Sequence, residues 1–561
     1  MSGLSPDPIA PDPITVEVVG NAFLSIAEEM GEALVRAAYS DNIKERRDSS
    51  TAIFDERGRT IAQAAHIPIH LGSLLGVVQS VLARYPVETL AQGDMFMGND
   101  PYTAGGTHLP DIVVTAPLFV DGVLRGFVTN LGHHHDFVDR GNHRHIFQEG
   151  LRIPPTRVMQ GGETRGDVLD LILTNMQFPE QRAGDFRAQF AANLLGIRRL
   201  TELFGRYGAD RMPGIVDAIL DSTERRTRAG IERIPDGTYR FSDVLDSGFL
   251  ESPARVSVTI EKAGSEITLD FSDNPPQGPH PLNLQLNGML ATSYYALKTL
   301  VDPDLAPNEG FYRPIHVIAK AGTIFNCTLP AAVEARTQTC QRVVDLVHGA
   351  LAEALPAEVT AAHNGGCSSV RYHGIDPRSG RLFGYMETLG GGFGARATKD
   401  GLDGVHVHIT NTSNLPIEAL ESTYPLLVKQ YELIQDSGGP GKWRGGMGFV
   451  RQIETLGGEA VVEANITRTT VPPWGLFGGR PGGLQRGDVY RADGTVESLP
   501  GGDGELPRVA LGPGESPAIS TSGGGGYGDP RERDRELVRR DLREERISRE
   551  SAVRDYGLED A

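Results

Sequence analysis

Long apolar segments are missing from the 561-residue sequence, although 39% of its residues are hydrophobic. A transmembrane helix needs about 20 consecutive apolar residues, and no run approaches that length. Residues 1–19 contain neither Lys nor Arg and no uninterrupted apolar stretch, so they do not resemble a signal peptide. We therefore expect a protein that stays in the cytoplasm and is not integral to a membrane.

Cysteine and positive charge are also scarce. The three cysteines, Cys327, Cys340 and Cys367, are too few and too scattered for a disulfide framework or a CxxC metal clip. We expect reduced and mostly buried thiols. The formal net charge of -19 argues against a nucleic-acid partner, because phosphate contacts require clustered Lys and Arg.

A recognisable nucleotide-binding motif is missing as well. The sequence contains no GxxxxGK[ST] phosphate loop, and its LGGGFGAR segment lacks the strand and helix that would flank a dinucleotide-binding fingerprint. The sequence therefore gives no sign that this chain itself binds ATP.

The pattern of the remaining sequence predicts a multi-domain α+β protein. A chain of this length exceeds what one hydrophobic core usually organises. Apolar residues recur at helical spacing over 14–38, whereas strand-like alternation begins near residue 236. We predict three parts: residues 1–235, a β-rich second domain over 236–515, and a turn with a charged, solvated helix over 516–561.

Glycine is abundant in short motifs between residues 385 and 485, including LGGGFGAR, DSGGPGKWRGGMGF and PPWGLFGGRPGG. Arg, Trp and Phe are interspersed, which is unlike a flexible Gly/Ser linker. We expect ordered loops that need positive φ or close backbone approach, with unusual backbone angles at Gly446 and Gly479. Such loops are predicted to shape or cover the active site or a partner interface.

Two hairpins are predicted in the first part of the chain. STAIFDERGRTIAQAAH has a turn between two apolar runs, and IVVTAPLFVDGVLRGFVTNLGHHHD has Asp121-Gly122 between two β-prone strands. In the second hairpin the first strand begins just after His108 and Asp111, and the second ends just before His133. Because paired antiparallel strands bring their outer ends together, these three side chains are predicted to meet.

A mixed histidine and aspartate cluster of this kind suits zinc, manganese or ferrous iron. Three protein ligands leave coordination positions open, which is typical of a catalytic site. The alternative is a polar loop with hydrogen-bonded histidines. Asp48, in SDNIKERRDSS, is a candidate fourth ligand, although on spacing alone an ion pair with Arg46 or Arg47 is the favoured interpretation.

Several long motifs resemble the hydantoinase B/oxoprolinase family. In order they are SDNIKERRDSSTAIFD, HIPIHLGSL, GNDPYTAGGTHLPDI, GHHHD, FQEGLRIPP, ETLGGGFGAR, NTSNLPIEALE, DSGGPGKWRGGMG, PPWGLFGGRPGG and SGGGGYGDPRERD. The resemblance extends over the chain from about residue 14 to about residue 557.

The resemblance implies a set of metal ligands at Asp48, His108, Asp111 and His133. The family usually has two adjacent histidines, a small residue and an aspartate, which match His133, His134 and Asp136. This sequence departs from the pattern at His135 and over residues 137–139, which affects the choice of histidine ligand; His133 stays the first choice.

The resemblance also implies half of a two-component enzyme. The partner would be a hydantoinase A-type subunit with an actin-like ATPase fold, which uses ATP and Mg²⁺ to phosphorylate a cyclic amide such as a hydantoin or 5-oxoproline. Metal-activated water would then open the ring, with His134 or Asp136 as the base. Alternatively, those two residues only orient a ligand. The rival functions are a subunit of an ATP-dependent ketone carboxylase and a non-catalytic scaffold subunit.

Overall fold

The computed structural model describes residues 11–65, 67–134, 143–499 and 508–559. These residues form helices and four sheets, three of which are wholly antiparallel, so the predicted α+β class is confirmed. None of the helices in these ranges is both long enough and apolar enough to cross a membrane.

The first sheet has seven strands in the order β2-β1-β5-β4-β3-β6-β7. All neighbours are antiparallel, and every strand comes from the first 164 residues. Both faces of its centre are buried. The strands are β1 (Ser49–Asp55), β2 (Thr60–Ala65), β3 (Met95–Gly98), β4 (Asp111–Val120), β5 (Val123–His133), β6 (Thr156–Gln160) and β7 (Glu163–Thr164).

Helices cover both faces of this sheet. Ile53 of β1 belongs to a core shared with the long helices, whereas its neighbours Ala52 and Phe54 pack on the other face against α4. This alternation follows from the two-residue period of a strand. The helices of this part are α1 (Pro13–Ala37), α2 (Asp41–Lys44), α3 (His70–Ser73), α4 (Val77–Arg84), α5 (Gly166–Thr174), α6 (Pro179–Tyr207) and α7 (Met212–Glu232).

A four-stranded sheet in the order β11-β10-β9-β8 follows. Its β10 and β11 are parallel and its other neighbours are antiparallel. Two helices, α8 and α10, pack in the large core beside it. The elements are β8 (Gly237–Leu245), β9 (Ala254–Ala263), β10 (Glu266–Asp270), α8 (Leu286–Val301), α9 (Glu309–Tyr312), β11 (Ile315–Ile318) and α10 (Arg336–Ala350).

The last two sheets share one apolar core. Their orders are β13-β12-β16-β19 and β14-β15-β20-β17-β18. The elements are β12 (Ser368–Asp376), β13 (Arg381–Leu389), α11 (Ile417–Thr423), β14 (Leu426–Leu433), β15 (Phe449–Thr455), β16 (Ala460–Asn465), β17 (Arg486–Tyr490), β18 (Val496–Ser498), β19 (Arg508–Leu511) and β20 (Ser516–Ser520). Strand β20 begins just after the predicted boundary at residue 515, and its neighbours in the sheet, β15 and β17, come from the part of the chain before that boundary.

The glycine-rich motifs form an ordered layer in which backbones approach each other closely. The N–H of Gly446 donates to the Phe393 carbonyl at 2.8 Å, and the N–H of Gly524 donates to the Gly446 carbonyl at 2.9 Å. A Cβ at Gly392 would lie 2.1 Å from the Gly446 oxygen. The prediction of unusual backbone angles at Gly446 and Gly479 is wrong, because neither has a positive φ; close packing is what requires glycine there.

The charged C-terminal segment forms two short helices, α12 (Arg535–Arg543) and α13 (Arg549–Arg554), instead of the single helix predicted. The chain turns between them at Glu545, which has a φ of 57°. Val538, Ile547 and Tyr556 are buried against one another, and this small core requires the reversal of the chain.

Candidate metal centre

The second predicted hairpin brings the candidate ligands together. Strand β4 begins at Asp111, strand β5 ends at His133, and the two residues are paired in the register. The turn uses left-handed conformations at Asp121 (φ 52°) and Gly122 (φ 76°), as a two-residue hairpin loop requires. His108 lies just outside the sheet, where its carbonyl oxygen accepts a hydrogen bond from the Asp111 N–H at 3.2 Å.

His108, Asp111 and His133 form a buried cluster whose ligand atoms all lie within 4.8 Å of one another. Nε2 of His108 is 3.2 Å from Oδ1 of Asp111. Both ring nitrogens of His108 and Oδ1 of Asp111 are buried and form no hydrogen bond with any described residue. Because unsatisfied buried polar atoms are costly, this arrangement fits a site that is completed by a cation.

The electrostatics favour the protonation states that metal binding needs. Burial lowers the pKa of His108 and of His133, so both imidazoles are neutral near pH 7. Burial alone would raise the pKa of Asp111, but His108 and Arg336 outweigh it and hold that pKa well below its usual range. Two neutral imidazoles and one carboxylate are therefore available as ligands.

Asp48 lies in the wall of the same pocket. Its carbonyl oxygen accepts the His133 N–H at 3.0 Å, and burial raises the pKa of its carboxyl to about 7, against the opposing charge of Arg46. The alternative ion pairs are not formed among the described residues: Arg46 donates to the Met386 carbonyl and to Thr388, and Arg47 pairs with Glu32.

His134 has other neighbours. Its N–H donates to the Pro110 carbonyl at 2.7 Å, and its Nε2 lies 3.0 Å from Oε1 of Gln189 on α6. It lines a small separate cavity rather than the pocket of His108 and His133. A role as base thus stays a prediction. Asp136, His135 and residues 137–139 lie outside the described residues.

The pocket beside the cluster has a volume of about 80 Å³ and is closed by segments from the second half of the chain. The wall also contains residues that the sequence pattern does not predict as part of the site. Of these, His70 belongs to the HIPIHLGSL motif, which is visible in the sequence, whereas no motif indicates a site role for Arg336, Arg371 or Cys367. The wall also carries hydroxyl groups, from Thr337, Ser369, Thr388, Thr410 and Thr412.

Asn42 and Arg336 hold the cluster in place. The Asn42 amide nitrogen lies 3.0 Å from Nδ1 of His133 and donates to the His133 carbonyl at 2.8 Å. Arg336 donates to Oδ2 of Asp111 at 3.0 Å and to Thr107 at 2.7 Å. Such contacts orient ligands and are typical of residues around a metal centre.

A second cluster, formed by Asp345, His363 and His408, also has its ligand atoms within 4.8 Å of one another. Its hydrogen bonding differs. Nδ1 of His363 accepts the Gly394 N–H at 2.8 Å, and its Nε2 lies 3.0 Å from the Thr360 hydroxyl. Because both nitrogens of that ring are engaged, His108, Asp111 and His133 are the better candidate metal site.

Comparison with known proteins shows the family of this chain. The sequence profile described as Hydantoinase B/oxoprolinase matches residues 12–530, so the chain belongs to the hydantoinase B/oxoprolinase family. An uncharacterized protein of Methanocaldococcus jannaschii is 38% identical over 97% of this chain and 96% of its own length.

Two proteins of known structure share the fold. Caprolactamase subunit beta of Pseudomonas jessenii is 32% identical over 98% of this chain and 96% of its own. The crystal structure of ATP-dependent caprolactamase from that organism matches with a TM-score of 0.87 at 29% identity, covering 98% of this chain and 96% of the other. Nucleotide-free acetone carboxylase matches with a TM-score of 0.87 at 18% identity, over 97% and 79%, which shows likeness of fold alone.

Proposed function

We propose that this chain is the metal-dependent subunit of an ATP-dependent enzyme that hydrolyses a cyclic amide, such as a hydantoin, 5-oxoproline or a related lactam. The observation that carries the proposal is the buried cluster of His108, Asp111 and His133, which borders a pocket. In it, both ring nitrogens of His108 and Oδ1 of Asp111 lack a hydrogen bond with the described residues. Membership of the hydantoinase B/oxoprolinase family supports the reaction class.

Asp48, His108, Asp111 and His133 would hold a zinc, manganese or ferrous ion. When bound, such an ion acts as a Lewis acid and lowers the pKa of water from 15.7 towards about 7. The protein's own part is to keep the imidazoles neutral and the site enclosed. Asn42 and Arg336 fix the orientation of His133 and Asp111 for this purpose.

ATP and Mg²⁺ would be used by a hydantoinase A-type ATPase subunit. The absence of a phosphate loop from the sequence, the name subunit beta of the caprolactamase relative, and the ATP dependence named for that enzyme support this division of labour. Phosphorylation of the amide oxygen by the partner removes the amide resonance and makes the ring carbon electrophilic. The product of that step is the substrate of this chain.

The pocket wall is polar and can form hydrogen bonds with the oxygen atoms of such a substrate. Arg336 and Arg371 provide guanidinium groups, which pair with Asp111 and Glu334, and five threonine and serine hydroxyls provide hydrogen-bond donors. Guanidinium groups bind phosphate and carboxylate oxygens through several N–H donors. The polar lining favours an oxygen-rich ligand over an apolar one.

The two rival functions are less well supported. A ketone carboxylase subunit is suggested by acetone carboxylase, but a likeness at 18% identity concerns the fold only. A scaffold subunit has no need of buried histidine and aspartate atoms that lack hydrogen bonds.

Reconstitution tests the proposal. The chain and the ATPase subunit are purified separately and assayed apart and together on hydantoins, 5-oxoproline and caprolactam, with ATP and Mg²⁺. We expect negligible ring opening by either component alone and restored activity in the mixture. A His108→Gln chain that still forms the complex is the control and should be inactive. Consumption of bicarbonate in step with ATP would indicate the carboxylase instead, and efficient ATP-independent turnover by this chain would overturn the two-component proposal.

A further inference from the structure

A larger pocket lies beside the candidate metal centre, and the proposed function does not use it. Its wall is formed by α2, the first turn of α6, the turn between β12 and β13, and the end of α11. Its volume of about 580 Å³ is within the range of small-molecule sites. Among the described residues, none lines both this pocket and the pocket of His108 and His133, so the two are separate.

Asn42 is in the wall of the larger pocket and also contacts the metal cluster. Its amide nitrogen donates to the His133 carbonyl at 2.8 Å. Its Oδ1 is buried and accepts no hydrogen bond from any described residue. Because an unsatisfied buried oxygen is costly, a ligand with an N–H or O–H donor would complete this side chain.

Ser40 contributes a second unsatisfied group to the same wall. It precedes α2 at the position where a serine side chain usually accepts a hydrogen bond from a backbone N–H of the first turn, but it makes no such bond. Ser40 is only 2% exposed, and its Oγ has no hydrogen-bond partner among the described residues. A hydroxyl can donate or accept, so it can bind a carboxylate or an N–H group.

The charged groups of the wall are of both signs. Asp41, Glu180 and Arg381 line the pocket, and none of the three forms an ion pair with a described residue. The carboxylate of Asp41 accepts the Tyr424 hydroxyl at 2.8 Å, which fixes its position. The other charged residues of the wall have ion-pair partners: Arg182 with Asp185, and Asp376 with Arg378. The pocket therefore offers carboxylates and a guanidinium to a ligand that carries both a cation and an anion.

Apolar side chains complete the wall. They belong to Phe178, Pro179, Leu382, Phe383 and Tyr424. Such a surface suits a hydrocarbon chain, and aromatic rings also attract an ammonium group.

We propose that this pocket binds a zwitterionic amino acid, with its carboxylate at Arg381 and its ammonium group at Asp41 and Oδ1 of Asn42. An amino acid has one anion, one cation and a hydrocarbon chain, which match the three kinds of group in the wall. The inference goes beyond the proposed function and does not require it. The two are chemically related, because hydrolysis of a lactam frees one carboxylate and one amine and so yields a ligand of this class.

Calorimetric titration of the purified chain tests the ligand class. The probes are 6-aminohexanoate and leucine, isomers whose two charges are far apart or adjacent. We expect at least one of them to bind, and the tighter one shows whether a ring-opened lactam or an α-amino acid is preferred. Hexanoate and hexylamine, which carry one charge each, should bind about 10- to 100-fold more weakly, the range for loss of a hydrogen bond to a charged group. No binding of either isomer, or equally tight binding of a singly charged probe, would overturn the proposal.

Substitutions test the place of binding. Arg381→Gln, at an exposed position, should weaken binding about 10- to 100-fold, and Ser40→Ala about 2- to 10-fold. Arg255→Gln is the matched control, because Arg255 is also exposed but lines a different pocket; it should bind as the unsubstituted chain does.

A His108→Gln chain separates this site from the metal centre and should bind the amino acid with unchanged affinity. Binding that is lost in His108→Gln but kept in Arg381→Gln would place the ligand at the metal centre and contradict the inference. The titration needs neither the ATPase subunit nor turnover, so failure of ring opening by the reconstituted complex leaves this test unaffected.

Discussion

Arg336 connects the candidate metal ligands to the second half of the chain. It begins α10, yet it donates to Oδ2 of Asp111, 225 residues earlier, at 3.0 Å. Both side chains are buried. Breaking a buried ion pair by removing one partner typically costs about 3–5 kcal/mol, because an uncompensated charge is left behind.

Removal of this arginine should therefore weaken the metal-free protein. For Arg336→Met we expect the free energy of unfolding in the presence of a chelator to fall by about 3–5 kcal/mol. Added Zn²⁺ should recover part of the loss, because the ion supplies positive charge next to Asp111. Denaturant unfolding with and without metal measures both effects.

The matched control is Arg313→Met, which removes a surface pair with Asp221 and Glu224. Exposed pairs contribute about 1 kcal/mol or less, and their loss should not respond to metal. If both variants lose the same free energy of unfolding and respond equally to Zn²⁺, the ion pair of Arg336 with Asp111 does not stabilise the metal site.

The sequence allowed the local part of the site to be predicted and not the rest. Asp111 and His133 end the strands of one hairpin, whose turn residues and strand lengths are visible in the sequence, and His108 lies three residues before its first strand. Arg336 and Cys367 reach the pocket through tertiary packing, which spacing does not reveal. The alternative ion pairs of Asp48 depended on where Arg46 and Arg47 point, and only the folded chain determines that.

At the scale of elements, the close backbone packing of the glycine-rich layer predicts that a side chain added at Gly446 destabilises the fold. A Cβ at Gly446 would lie 1.9 Å from the Leu402 carbonyl oxygen, which is a backbone atom that cannot rotate away. We expect Gly446→Ala to lower the free energy of unfolding by about 2 kcal/mol or more, because overpacking forces the backbones apart. The measurement is denaturant unfolding of the purified chain.

Gly214→Ala is the corresponding control. Gly214 lies in α7, and apart from its chain neighbours and the backbone of its own helix, no described atom lies within 4 Å of the position of its Cβ. Alanine favours helix over glycine by up to about 1 kcal/mol, so this variant should be as stable as the original chain or more stable. Similar losses in both variants would contradict the close-packing account.

Elements with a strong local signal were predicted well. Helix α1 and the two hairpins have clear periodicity and turn residues, and all are present. The prediction of a single solvated helix at the C-terminus is wrong. The many charges of this segment indicate an exposed helix, but Val538, Ile547 and Tyr556 are buried against one another, and this packing divides the segment into two helices. The order of strands in the later sheets depends on long-range pairing, which local pattern does not encode.

At the scale of the whole molecule, the candidate metal site joins both halves of the chain. Strands β4 and β5 provide the ligands, and residues from the segments around Arg336, Cys367 and Thr410 close the pocket. The three predicted parts of the chain, with boundaries at 235 and 515, remain a prediction. The pocket is complete only when the first and second halves of the chain are packed against each other, because both contribute residues to its wall.

The metal content of the purified chain tests the central claim most directly. Elemental analysis of the unsubstituted chain should give about one divalent transition metal per molecule. A His108→Gln, His133→Gln double variant should lose it, whereas a His363→Gln, His408→Gln double variant, altered in the other buried histidine cluster, should retain it. Unchanged metal in the first variant, or its loss only in the second, would contradict the assignment of His108, Asp111 and His133 as the metal site.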